Sequence, residues 1–151
     1  MQSLDNIIPK LILILKKRGF KKYRTTWVKE NGEITIVVNV QKSQYSSDIW
    51  YYNFGIGFKR FYDKPITSIS KCDIIYRLNK NGNEISATTV AAVLDTWEKY
   101  FGSLEKLRIQ AIEDKIPPLI SSRARTFLTT MYDVKTGDGF HDPKSVERKT
   151  N

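Results

Sequence analysis

Directly after the dipeptide Asn31-Gly32 the chain reads EITIVVNVQ, and no other stretch limits its possible folds so strongly. The alternation puts Ile34, Ile36, Val38 and Val40 on one side, with Glu33, Thr35, Val37, Asn39 and Gln41 on the other. That pattern is a strand with one buried face, which must be paired and covered. Asn-Gly is a strong hairpin signal because both turn positions favour positive φ. It predicts YRTTWV, residues 23–28, as the antiparallel partner.

A polar loop, QKSQYSSD, leads to a second alternating run, IWYYNFGIGF. Trp50, Tyr52, Phe54, Ile56 and Phe58 share one face there, opposite Ile49, Tyr51, Asn53, Gly55 and Gly57. CDIIYRL, residues 72–78, is a further strand that closes in NKNGN. The expectation is a four-stranded, mainly antiparallel sheet.

Helical spacing flanks these strands. Leu4, Ile8, Leu11 and Leu15 predict a helix over residues 4–18, widened by Ile7, Ile12 and Ile14. Its LILIL core also suits a buried strand. Ser3 or Asn6 could cap the start, Pro9 should kink the helix if it begins early, and Gly19 is a suitable stop. Later, Val90, Val93, Leu94, Trp97 and Phe101 form one stripe, and Gly102-Ser103 reads as a stop followed by a cap. Leu104, Leu107, Ala111 and Ile112 begin a second helix that ends at Pro117-Pro118. Ser121 or Ser122 caps a third, carrying Ala124, Phe127, Leu128 and Met131. Beyond about Asp133 the apolar periodicity stops. The organisation is one α+β domain over residues 1–132 with a flexible polar C-terminal tail over 133–151. The N-terminal helix precedes the sheet and the C-terminal helices pack on one face, leaving the other partly open.

The 151 residues suffice for one domain with a real core. No run approaches the ~18–20 apolar residues of a membrane span, and LILIL lacks a cleavage site, so no signal peptide or membrane association is expected. Cys72, the single cysteine, excludes an internal disulfide and suits a cytoplasmic location. The net charge of +9 is uneven. Residues 1–80 hold 15 Lys/Arg against 6 Asp/Glu, whereas residues 81–151 hold 10 of each. The whole excess sits in the first half, which predicts a polarised surface.

GFKK (19–22), NVQKS (39–43), YNFGIG (52–57), CDIIYRL (72–78) and IPPLI (116–120) follow one another in that order. Together they resemble a bacterial family catalogued as domain of unknown function 4304, over roughly residues 4–132. Gly19, Phe20, Gln41, Lys42, Ser43, Asn53, Gly55, Cys72 and Arg77 carry the likeness. After Arg77 the family pattern has more tryptophan, whereas this chain has only Trp97. The resemblance implies the fold and a bacterial or phage origin, and it brings no activity.

KKRGFKKYR, residues 16–24, holds Lys16, Lys17, Arg18, Lys21, Lys22 and Arg24. The first three fall in a last helical turn, where cations complement the macrodipole. Lysines on an edge-like segment also guard against strand addition. Alternatively, the six form a patch for phosphates or acidic side chains, extended by Lys59, Arg60 and Lys64. A second candidate is the polar line Asn39, Gln41 and Asn53, which becomes contiguous if 33–41 pairs with 49–58. Those amides present donors and acceptors to a ligand, or they are solvated, or they bond to a covering loop.

WYYNFGIGFKRFY resembles the base-stacking sheets of RNA-binding domains only loosely, and alternation makes its aromatics a core face. No catalytic constellation, cofactor or metal site is legible. His141, the single histidine, lies in the tail beside Asp142, and Cys72 has no histidine base. Cysteine and histidine spacing gives no zinc site, and GIG lacks the rest of a dinucleotide fingerprint. Asp95/Glu98 and Glu113/Asp114 read as surface helix carboxylates, and nothing selects Asp48, Asp63 or Asp73 as an acid or base. The sequence therefore points to a non-enzymatic protein-interaction domain whose partner is an acidic protein surface, in an immunity or defence setting by analogy. The alternative is a nucleic-acid-binding protein that contacts phosphates through the basic first half.

Overall fold

The computed structural model describes the backbone of residues 4–46, 48–115 and 120–137, and the side chains of residues 7–46, 48–115 and 120–130. Helix α1 spans Leu4–Lys17 and runs on through Pro9. It buries Ile7, Leu11 and Leu15. Gly19, at φ +87°, ends it, and the Phe20 N–H returns to the Leu15 carbonyl.

Five strands follow, not the four expected from the sequence: β1 (Lys21–Tyr23), β2 (Thr26–Asn31), β3 (Ile34–Lys42), β4 (Trp50–Phe58) and β5 (Ile74–Arg77). Their spatial order is β1-β2-β3-β4-β5, antiparallel throughout. Read as one strand, residues 23–28 in fact contain a reversal. Arg24 takes φ +59°, so Lys21–Tyr23 folds back on Thr26–Val28. The next hairpin is displaced by one residue from Asn31-Gly32. Asn31 pairs with Ile34 as the last residue of β2, and Gly32, at φ +60°, begins a Gly32-Glu33 turn. The Asn31 amide is drawn into the strand end because its Nδ2 donates to the Gly102 carbonyl at 2.5 Å.

The alternation of β3 and β4 sets the core as expected. Ile34, Ile36, Val38, Val40, Tyr52, Phe54, Ile56 and Phe58 all face the helices. Helices α2 (Ala87–Phe101), α3 (Leu104–Ile112) and α4 (Ser122–Gly137) close that face with Val90, Leu94, Trp97, Leu107, Ala124, Phe127 and Leu128. Three serine caps satisfy free helix N–H groups: Ser86 accepts from Thr89, Ser103 from Lys106, and Ser121 from Ala124. The capping side chain of α4 is thus Ser121. Met131 lies outside the described side chains, and residues 138–151 of the expected tail lie outside the described residues altogether.

The other face of the sheet is divided. Loop 59–72, with short 3-10 turns at Lys59–Phe61 and Ile69–Lys71, lies over one part of it. There Val28 and Val37 pack with Ile66, Ile69 and Cys72. Gly55 and Gly57 make this possible: a Cβ on Gly55 would lie 2.6 Å from the Cys72 Sγ, and one on Gly57 2.5 Å from the Ile66 Cδ1. The adjoining part of the face carries the polar residues.

Candidate functional site: a basic corner and a polar row

The end of α1 and the edge strand β1 make a basic corner whose cations have different duties. Arg18 is a tether. Its Nε and Nη2 donate to Asp95 Oδ1 and Oδ2, both at 2.8 Å, joining α1 to α2. This bidentate bond raises the Arg18 pKa and holds the Asp95 carboxyl below its ordinary range. Nearby, Lys29 lies 4.9 Å from the Phe20 ring centre and pairs with Glu98 at 2.6 Å. Lys16, Lys17, Lys21, Lys22 and Arg24 are exposed, and none pairs with a carboxylate among the described residues.

Three of those free lysines rim an open groove of about 420 Å³. Lys16, Lys21 and Lys22 surround walls made by Ile12, Phe20, Tyr23 and Trp27. Trp27 is 1% exposed, and its indole N–H has no acceptor among the described residues. Lys22 holds its ammonium 5.8 Å from the Trp27 ring centre. Ile12 and Tyr23 add exposed apolar surface at the mouth. The cations were legible in the sequence but this floor was not, because Phe20 and Trp27 come together only when β1 folds back.

The proposed extensions of the patch do other work. Lys59 pairs with Glu30, and Arg60 stacks on the Phe127 ring at 4.4 Å. Lys64 lines a separate hollow with Tyr62, Pro65, Ile66 and Lys71.

Asn39, Gln41 and Asn53 do come together. Asn39 and Asn53 are direct cross-strand partners. Asn53 Nδ2 donates to Asn39 Oδ1 at 3.1 Å and to Gln41 Oε1 at 3.3 Å. Two residues not singled out for this site complete the network. Asn39 Nδ2 donates to Thr26 Oγ1 at 3.0 Å. At the other end, Arg77 donates through Nε to Asn53 Oδ1 at 2.9 Å and through Nη2 to Gln41 Oε1 at 3.0 Å. The Arg77 guanidinium lies 3.9 Å from the Tyr51 ring centre. Thr26, Asn39, Asn53 and Arg77 occupy one cross-strand register over β2 to β5. Among the described residues the amides bond to one another, to Thr26 and to Arg77, and to no covering loop.

Other reactive groups are committed elsewhere. Asp73 is buried and accepts from Ser121 Oγ and Arg123 Nε, each at 2.8 Å, which ties the start of β5 to α4. Arg123 Nη2 also donates to the Tyr62 hydroxyl at 2.8 Å. Cys72 keeps some exposed surface, but its Sγ is turned inward over Gly55. Burial, helped by the charge of Asp73, pushes its thiol pKa far up, so it stays protonated. Among the described residues no His/Cys/Asp/Glu group could hold a metal ion, and no helix is long and apolar enough to cross a membrane. His141 and Asp142 lie outside the described residues.

Residues 13–120 match the family model described as a domain of unknown function, DUF4304. No curated protein and no solved structure gives a significant match.

Proposed function

The chain belongs to the DUF4304 family, and we propose that it is a non-enzymatic protein-interaction domain that docks an acidic partner at the basic α1–β1 corner. One observation carries this reading: lysines that pair with no carboxylate among the described residues rim a groove whose floor is buried aromatic surface. Such a groove suits an apolar side chain flanked by carboxylates. The side chain fills the space between Ile12, Phe20 and Trp27, while Lys16, Lys21 and Lys22 meet the charges.

A nucleic-acid reading shares the lysines but uses the floor less well. Base stacking needs exposed aromatic faces. Phe20 and Trp27 are 6% and 1% exposed, which leaves Tyr23 alone at the mouth. A cytoplasmic setting fits the single free thiol.

The Trp27 indole N–H resonance tests the reading. A peptide alternating glutamate with leucine should move that resonance saturably, together with backbone amides of β1. DNA or RNA that moved the lysine-bearing segments without the indole would favour phosphate contact instead. If neither ligand produced a saturable change at this corner, the corner would be a solvated helix end.

A further inference from the structure

Arg77 differs from Arg18 and Arg123 in what holds it. Arg18 and Arg123 are fixed by the carboxylates Asp95 and Asp73. Arg77 is fixed by two neutral amides and a tyrosine ring, and no carboxylate pairs with it among the described residues. Its charge is positioned but not neutralised by any carboxylate of the described residues. Much of the rotamer entropy a long side chain would lose on binding has therefore already been lost.

Arg77 also sets the polarity of the whole row. A guanidinium has donors only. Asn53 Oδ1 and Gln41 Oε1 must therefore face it, which turns Asn53 Nδ2 toward Asn39 Oδ1 and Gln41 Oε1. Asn39 Nδ2 is then left to donate to Thr26. Every amide oxygen of the row accepts from inside it. The groups left over at the Arg77 end, Arg77 Nη1 and Gln41 Nε2, are donors without a bond among the described residues. Gln41 is exposed, whereas the Asn53 it bonds to is 2% exposed, so the donors are held by a buried amide.

From this arrangement we infer that the Arg77 end of the sheet is a carboxylate-binding site, receiving an acidic side chain or chain terminus of a protein partner. A planar, singly charged, acceptor-only group matches one planar guanidinium flanked by a neutral amide donor. Phosphate recognition generally recruits several cations, and the network around Arg77 contains no second one. The site lies on the strand opposite to β1 in the sheet, four spacings or roughly 19 Å away. It goes beyond the proposed docking corner and stands or falls without it.

The experiment uses the intact domain and small probes. Acetate, inorganic phosphate and chloride are titrated at matched ionic strength while the Arg77 Nε–H and the side-chain amides of Gln41 and Asn53 are followed by 15N NMR. Acetate should move these signals saturably, while chloride moves them weakly and linearly. Arg77→Lys, which keeps the charge but loses the planar donors, should weaken the acetate response by about tenfold. Equal, linear shifts in all three salts would make Arg77 purely a structural cap of the amide row and overturn the inference. A stronger response to phosphate would overturn the carboxylate assignment. The wild-type titration decides between these outcomes even if the variant does not fold.

Discussion

Replacing Gly55 by alanine tests whether loop 59–72 closes directly on β4. The new Cβ would lie 2.6 Å from the Cys72 Sγ, 2.6 Å from the Ile69 Cδ1 and 2.9 Å from the Cys72 Cβ. The Ile69 tip can rotate away, but the Cys72 Cβ is attached to backbone that leads into β5, so strand and loop must separate. Overpacking of this kind costs about 1–3 kcal/mol. Alanine offsets part of that, because a strand glycine is about 0.5–1 kcal/mol less favourable. Because the Cys72 Cβ is backbone-attached, the upper half of that cost applies, and the net expectation is a loss of about 1–2.5 kcal/mol. At about 2–4 °C per kcal/mol for a chain of this length, that lowers the melting temperature by roughly 2–10 °C. Gly57→Ala is the internal comparison. Its closest contacts are all with Ile66, whose Cδ1 lies at 2.5 Å and can swing aside, so the change should stay within about 1 kcal/mol. Urea unfolding followed by tryptophan fluorescence gives both values, with an unchanged m-value showing that the denatured state is comparable. A Gly55→Ala variant as stable as the wild type would refute the reasoning, since the covering loop could not then be seated on Gly55.

Three further outcomes follow from the same geometry. Arg24→Gly should stabilise the domain by about 1 kcal/mol in a urea titration, because Arg24 occupies φ +59° at the β1–β2 turn; a destabilised variant would mean that the arginine side chain outweighs the backbone strain. A double-mutant cycle on Arg18 and Asp95 should give a coupling of only about 0.3–1 kcal/mol, shrinking with salt, because both side chains are partly solvated. The Asp95 carboxyl is held low by Arg18, so that coupling is fully present above the unfolded value near pH 4 and lost as pH falls through the folded pKa. The Cys72 thiol, raised by burial, should resist a disulfide reagent at mildly alkaline pH until the protein unfolds. Its sign is the reverse of Asp95: stability is intact below the unfolded thiol pKa of about 8.5 and declines above it, as the unfolded chain releases its proton first. Rapid modification of the native protein would contradict the inward placement.

What could be read in the sequence was set by periodicity, and what could not was set by distant contacts. Ile34 to Val40 and Trp50 to Phe58 face the helices as their alternation required. The β1 reversal had no comparable signal, because Lys21–Tyr23 is three exposed residues and its turn places an arginine in a left-handed conformation. The one-residue shift at Gly32 depends on an Asn31 bond to Gly102, which lies 71 residues away. Arg18 looked like one more cation until folding brought Asp95 to it across 77 residues. The polar line was legible because pairing β3 with β4 sets Asn39 opposite Asn53. Arg77, which orients those amides, required the β4–β5 register as well.

The most direct test of the docking corner is fluorescence anisotropy of a labelled glutamate–leucine peptide, beside an all-glutamate peptide, single- and double-stranded DNA, and RNA. Each is titrated with the wild type and a Lys16→Ala/Lys21→Ala/Lys22→Ala variant at about 50 and 150 mM salt. The account predicts that the glutamate–leucine peptide binds best, keeps most of its affinity at the higher salt, and loses about tenfold or more in the variant. Nucleic acid that binds more tightly than either peptide, with affinity falling steeply with salt, would contradict it.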